Sequence, residues 1–401
     1  MSHCDLTFCF ISKTMNDATA QYIEANINSS IRELALKSTP ADVDKTLALQ
    51  QITARQLLKD KVPSWAQNKD LLFPPRLNVE QCSSELTANY KASLVEHGEW
   101  HTDLTGGMGI DCYFLSKRFK KSHYVEMQEM LCQLMRHNAK TLEADIEIHN
   151  STSEDFLGNL SEPQDLIFID PARRNDAGQK TVLISQCTPN IEPLWNTLLS
   201  KGKTVMVKLS PMLDIQLSIK VLSHIKEVHI VAVDGECKEL LLIAQKEFDG
   251  EPSLHCVELG KTPQVWHTDC CTDSAPYVGA KEMGRFLFEP DVTIMKAGMF
   301  NAISQVYSLS SLDPNTHLLT GNEPTEAFFG HRFKIESVIQ FNKHAVKLIP
   351  DAWKRANIST RNFPIGAEQL RKQLKINGFS NNYIFGVTFQ KKHLLLLCHR
   401  L

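Results

Sequence analysis

The sequence predicts an α/β chain, and three observations carry that prediction. Between Glu99 and Gln245, short and nearly continuous apolar runs alternate with helical segments, the pattern of a parallel sheet covered on both faces. The first run, EWHTDL, leads into three glycines within four residues, Gly106, Gly107 and Gly109, at the position where open α/β sheets bind ligands. The last two runs, VHIVAV and ELLLIAQ, are separated only by DGECK, too short for a crossover helix, so they pair antiparallel.

The elements follow in chain order. From Asp17 to about Lys61 the chain reads as helices: IRELALK, then TLALQQITARQLLKD with Leu47, Ile52, Leu57 and Leu58 at helical intervals, Pro40 parting the two and Pro63 ending the second. LLFPPRL is an irregular linker, because consecutive prolines do not propagate a helix. Asn78, with Gln81 three residues later, resembles a capping box opening a helix through EQCSSELTANYKASLVEH. Strands are then expected at EWHTDL, SHYVEM, IEIHNS, DLIFID, TVMVKLS, EVHIVAV and ELLLIAQ, giving a seven-stranded sheet with an antiparallel last strand. After Phe248 a strand-rich segment precedes a region from about Gly284 to Gly330 and a basic terminal module. The expected domains are 1–76 (helical), 77–250 (the glycine-loop sheet), 251–330 (linker strands and a small domain) and 331–401 (basic).

Composition narrows the class. A chain of 401 residues exceeds one hydrophobic core, and its apolar and charged fractions are those of ordinary globular proteins. No apolar run approaches the roughly 20 residues of a membrane span. The start, MSHCDLTFCFISKTMND, lacks a basic region and a small-residue cleavage site, so no signal peptide and a cytoplasmic location are expected. The 11 cysteines show no CxxC spacing, which points to reduced thiols and no metal site. Charge is distributed unevenly: residues 331–401 hold 13 Lys and Arg against three acids, a net +10, and the remainder carries -13. That is the distribution of a catalytic body joined to a module that binds a polyanion, and it equally suits a basic surface that aids solubility.

The stretch HTDLTGGMGID sets the glycines between Asp103 and Asp111. Glycine there permits positive φ and close backbone approach. A dinucleotide fingerprint beginning at Gly107 would need glycine where Cys112 stands, and two adjacent acids would repel a pyrophosphate. The acids suit a ligand bearing an ammonium group. Seventeen residues past Gly109, Glu126 ends the second strand, placed to accept ribose hydroxyls, with Met127 beside it for a base. Ser153 and Asp155, after the third strand in NSTSEDFL, are further edge candidates, as is Thr105. Each alone also fits a solvated loop residue.

The fourth edge reads DLIFIDPARRN. Asp170 reaches the sheet edge, Pro171 stiffens the turn, and Arg173 and Arg174 follow. Asp170 suits an orienter or proton acceptor, and it equally suits a loop cap paired with those arginines. Lys208 and Ser210, at the fifth strand end, are candidate substrate contacts.

The sheet that ends in a hairpin resembles class I S-adenosylmethionine-dependent methyltransferases. More specifically, PPRLNVEQCSSELTANYKASL, DLTGGMGID, FIDPARR, RFLFEPDVTIMKAGMFNAI and TRNFPIGAEQLRKQLKINGFSNNYIFG resemble a bacterial family of such enzymes with ferredoxin-like and THUMP-like C-terminal domains. The resemblance implies a Rossmann-like fold and S-adenosylmethionine held by Asp103, Thr105, Gly106, Gly107, Gly109, Asp111, Glu126, Met127, Ser153 and Asp155. It assigns 251–330 to linker strands and a ferredoxin-like domain and 331–401 to the THUMP-like domain, and it places Glu80, Gln81, Ser83 and Ser84 near the cofactor edge.

Nitrogen methyltransferases carry an Asp/Asn-Pro-Pro-aromatic motif where this chain has Asp170, Pro171, Ala172 and Arg173, so no aromatic is offered to a flipped base. The motif is also similar to that of carbon-5 uracil methyltransferases, which need a nucleophilic cysteine where VKLSPM places Ser210. The implied substrate is RNA, with Arg371, Lys372 and Lys375 as candidate contacts. A non-catalytic RNA-binding protein on the same scaffold, and a methyltransferase for small molecules or proteins, stand as alternatives.

Overall fold

A computed structural model describes residues 15–172 and 184–401. By packing, the chain forms two compact units, residues 1–227 with 240–250, and residues 228–239 with 251–401.

The first unit opens with helices Asp17–Asn26, Ile31–Leu36, Lys45–Lys61 and Pro63–Gln67. Asn16 and Asp44 cap the first and third by accepting from the N–H groups of Thr19 and Leu47. Proline at the first position of the fourth costs that helix no hydrogen bond. The proline linker that follows is held by side chains. Arg55 donates to the carbonyls of Asn68, Lys69 and Leu71 at 2.8, 2.9 and 2.8 Å, and Gln51 bonds both the carbonyl and the N–H of Phe73. Trp65, Phe73 and Val79 share a core with Met108, Ile110 and Phe114, so these helices brace the segment after the glycine loop.

The capping-box expectation at Asn78 is corrected. Pro75 starts a short helix, Arg76–Gln81, with no side-chain cap. The chain breaks at Cys82 and restarts in helix Glu85–Ser93, where Ser84 accepts from Thr87 N at 3.2 Å.

The strands are β1 (Gly98–Asp103), β2 (Phe119–Glu126), β3 (Ile146–Asn150), β4 (Gln164–Ile169), β5 (Gly202–Leu209), β6 (Ile225–Val233) and β7 (Glu236–Ala244). Within the first unit their order is β3-β2-β1-β4-β5-β7. β1 to β5 run parallel, and β7 is antiparallel to β5, as the short DGECK connection requires. Asp234 and Gly235, with φ of 50° and 77°, make the tight turn between β6 and β7. β6 follows β7 in the strand order of the same sheet, which gives the seven expected strands with β8 and β9 beyond them. The chain leaves β1 toward β2 on one side and meets β4 on the other, which makes the β1/β4 edge the topological switch point.

In the second unit β8 (Ser253–Glu258) pairs antiparallel with β9 (Gln264–Thr268). β10 (Phe286–Pro290), β11 (Ser310–Ser311), β12 (Leu319–Gly321), β13 (Gly330–Gln340), β14 (Asn357–Arg361), β15 (Asn382–Phe389) and β16 (Lys392–Arg400) form a sheet in the order β11-β12-β10-β13-β16-β15-β14. Helix Ala367–Leu374 links the parallel pair β14 and β15. Strand alternation explains the run HLLLLC in β16: Leu395 and Leu397 pack with Trp353, Leu370 and Ile384, while Leu396 and Cys398 pack with Leu287, Phe333 and Phe385. Both faces are covered, so the run is continuously apolar.

Candidate active site

The glycine loop is tied at every glycine. Gly106 N donates to Val125 O at 2.9 Å, Gly107 N to Glu126 Oε2 at 3.0 Å, and the Tyr124 hydroxyl to Gly107 O at 2.6 Å. A Cβ at Gly106 would lie 2.2 Å from the Tyr124 ring, and one at Gly109 would lie 2.4 Å from Met135 Sδ. These two positions are glycine because the protein itself presses on them. Gly107 differs: its φ is 54°, and a Cβ there would meet only the Thr105 carbonyl, at 3.7 Å. Among the three it is the glycine with room on its side-chain side.

Asp103, at the end of β1, is 1% exposed. Burial pushes its carboxyl up to about 8, reinforced by Asp111 and Asp170 and opposed by the Thr105 N–H, which donates to Oδ1 at 2.9 Å. The Thr105 hydroxyl in turn accepts from Asp170 N at 2.7 Å and ties the β1 and β4 edges together. Glu126 is fixed from both oxygens, Oε2 by Gly107 N and Oε1 by Gln128 N at 2.8 Å, and each oxygen keeps a lone pair. Met127 beside it is 65% exposed. Ser153 is buried and donates to Leu104 O at 2.8 Å, so it braces β1, while Asp155 is exposed in the first turn of helix Ser153–Asn159.

Asp111 has partners that its place in the sequence does not suggest. Its Oδ2 accepts from Ser83 Oγ at 2.6 Å and lies 3.6 Å from Lys208 Nζ, while Oδ1 lies 3.2 Å from Lys91 Nζ. Burial alone would raise its carboxyl, but Lys91, Lys208 and Ser83 bring it below the ordinary value. Asp111 is therefore part of an internal charge network. Lys208 Nζ also bonds Asp170 Oδ2, so a chain of alternating charge runs Lys91, Asp111, Lys208, Asp170. Lys91 is fully buried, and its spacing from Ser84, Thr87 and Ala88 on one helix face was the only sequence signal for it.

Pro171 is buried, and Ala172 exchanges backbone hydrogen bonds with Thr188 at 2.7 and 2.9 Å, which fixes the exit from Asp170. Arg173 and Arg174 lie outside the described residues. Ser210 accepts from Met212 N at 3.3 Å in the turn after β5. Arg371, Lys372 and Lys375 belong to the second unit, around helix Ala367–Leu374. Lys372 and Lys375 are exposed, and the Arg371 guanidinium lies 4.7 Å from the ring centre of Phe379, itself 67% exposed. Among the described residues no helix is long and apolar enough to cross a membrane.

The rim thus offers a neutralisable acid, a bare backbone turn, a doubly anchored carboxylate and, at the β4 edge, a carboxylate held by a lysine. Residues 330–400 match the THUMP domain-like family and residues 286–328 the ferredoxin-like domain family. Two uncharacterized S-adenosylmethionine-dependent methyltransferases of Mycobacterium tuberculosis, from strains CDC 1551 and H37Rv, are each 21% identical over 302 residues, 75% of this chain and 80% of theirs. The crystal structure of a protein from Porphyromonas gingivalis W83, provisionally named a methyltransferase, superposes with a TM-score of 0.85 at 29% identity, covering 96% of this chain and 97% of that one.

Proposed function

We propose that this chain, which resembles S-adenosylmethionine-dependent methyltransferases over most of its length and carries ferredoxin-like and THUMP-like C-terminal stretches, methylates RNA, at a nitrogen atom, with Asp170 receiving the proton. The observation that carries the cofactor side is the rim of Asp103, Gly107 and Glu126. The open side of Gly107 admits a ligand against bare backbone, the anchored Glu126 keeps lone pairs for two ribose hydroxyls, and Asp103 suits an ammonium group.

S-adenosylmethionine, when bound, supplies a methyl group already activated on a sulfonium, so the protein's tasks are alignment and proton removal. Asp170 stands at the β4 edge, its backbone N–H held by Thr105 and its carboxylate by Lys208. A carboxylate so fixed accepts a hydrogen bond from an amine and takes its proton as the new bond to carbon forms. Ser210 after β5 is not the cysteine that covalent carbon methylation uses, which favours nitrogen. For RNA, the support is the +10 balance of residues 331–401 and the exposed Phe379, with half-buried Arg371 against its ring and exposed Lys372 and Lys375 beside it, a pairing of charge and aromatic surface suited to unpaired nucleotides.

The test is nucleoside mass spectrometry of total RNA from cells with and without the gene. One modified nucleoside should vanish and return with the wild-type gene but not with Glu126→Ala or Asp170→Ala. By calorimetry Glu126→Ala should lose about tenfold or more in cofactor affinity, whereas Asp170→Ala should bind within about twofold of wild type and lose roughly 10²-fold or more in turnover. An unaltered nucleoside profile would remove RNA as the substrate, and equal cofactor binding by Glu126→Ala would overturn the ribose assignment.

A further inference from the structure

We propose that His123, Glu147 and His149 form a site for one divalent transition-metal ion, with zinc as the best match, on the paired strands β2 and β3. No residue of the cluster belongs to the glycine loop, the Asp111 network or Asp170, so the inference stands apart from the methyltransferase reading.

Parallel pairing of β2 and β3 puts His123 in register with Glu147, and the two-residue period of a strand puts His149 on the same face as Glu147. The three donors converge. His123 Nδ1 lies 3.0 Å from His149 Nε2 and 3.7 Å from Glu147 Oε2, and His149 Nε2 lies 3.5 Å from Glu147 Oε1. Two ligands about 2.0–2.1 Å from a tetrahedral ion stand about 3.3 Å apart; the two nitrogens already stand near that separation, and one donor atom from each residue lies within 4.8 Å of the other two, so a turn of the exposed Glu147 carboxylate completes the set.

The rings are held in place before any ion arrives. Trp100 stacks on His123 at 5.1 Å with planes 14° apart, and Phe156 packs against both imidazoles, at 5.4 Å from His123 and 4.8 Å from His149. Such packing limits the entropy lost on binding.

The donor chemistry selects the ion. Two imidazole nitrogens and one carboxylate oxygen suit zinc, cobalt, nickel or copper better than magnesium or calcium, which prefer all-oxygen shells. Neutral imidazole carries one nitrogen lone pair, the form in which histidine ligates metals. Glu147 is the exposed member and leaves the outer side open to a water as fourth ligand. The ion would clip β3, the last strand in its direction, to β2. Without an ion the two imidazoles share one proton in a hydrogen bond, and that is the competing state.

The experiment uses the full chain, stripped of metal, kept reduced, and dialysed against zinc chloride before metal analysis. Wild type should take up about one equivalent in the micromolar range and melt at a higher temperature with zinc present. His149→Ala and Glu147→Gln, both on the sheet margin, should keep the circular dichroism of wild type and each lose about tenfold or more in affinity. Cobalt substituted for zinc should give a spectrum without a thiolate charge-transfer band. Unchanged zinc affinity in either folded variant, a thiolate band that places the ion on cysteine, or no uptake at about 10⁻⁴ M zinc would overturn the proposal.

Discussion

Asp103 gives up its water on folding and receives the Thr105 N–H and, at 3.4 Å, the Thr105 hydroxyl in exchange, so its carboxyl holds a proton to about pH 8. Unfolded, the same carboxyl ionises near its ordinary value of 3.8. Between those two values the folded chain binds a proton that the unfolded chain has released, so this residue's contribution to stability declines as pH rises from about 4 to about 8. Asp103→Asn should abolish that decline, and at pH 8 the variant should be more stable than wild type by on the order of 1–2 kcal/mol, read from paired thermal melts. If the cofactor's ammonium docks there, binding at pH 7 should also release about one proton, measured by calorimetry in buffers of differing ionisation enthalpy, and none in Asp103→Asn. The places of Asp103, Glu126 and Asp170 at the ends of β1, β2 and β4 were legible because each ends an apolar run. The partners of Asp111 were not legible, because Ser83, Lys91 and Lys208 lie 28, 20 and 97 residues away and nothing local announces such pairings.

At the scale of elements, the loop from Leu104 to Gly109 is built by its neighbours as much as by its own flexibility. Gly109→Ala would combine a φ of 87° with a clash at 2.4 Å against Met135, and should cost roughly 2–4 kcal/mol in chemical denaturation. Gly107→Ala meets only an ordinary contact with the Thr105 carbonyl and a φ of 54°, so it should cost only about 1 kcal/mol. Its methyl would still stand on the ligand side, and cofactor affinity should fall while the fold persists. Equal stability losses at both positions would contradict this division. Strand identities were readable from the apolar runs, including the reversal into β7. The helix between Pro75 and Ser93 was not, because Asn78 and Ser84 both carry cap-forming side chains. Pro75, which fixes where the first short helix begins, decided against Asn78.

At the scale of the molecule, the terminal segment's surplus of charge is partly spent internally. Lys334 pairs with Glu336 and Arg361 with Glu289, whereas Lys372 and Lys375 are exposed beside the Arg371–Phe379 stack. Neutralising Arg371, Lys372 and Lys375 together should therefore flatten the logarithmic salt dependence of single-stranded RNA affinity by about two units. An unaltered slope, by filter binding across salt concentrations, would place the footprint elsewhere. Composition revealed the basic end but not which charges are free, since pairing depends on register between strands far apart in sequence.

The ferredoxin-like and THUMP-like stretches share one sheet: β10 pairs with β13 across five residue pairs, and β13 with β16. Severing the chain near residue 330 would strip β10 of that neighbour, uncover Leu287 and Phe288, and leave a row of unmatched amides open to other molecules. A shortened protein would then clump for reasons unconnected with nucleic acid. The two stretches are best regarded as a single folding partnership, separable by changing surface side chains but not by scissors.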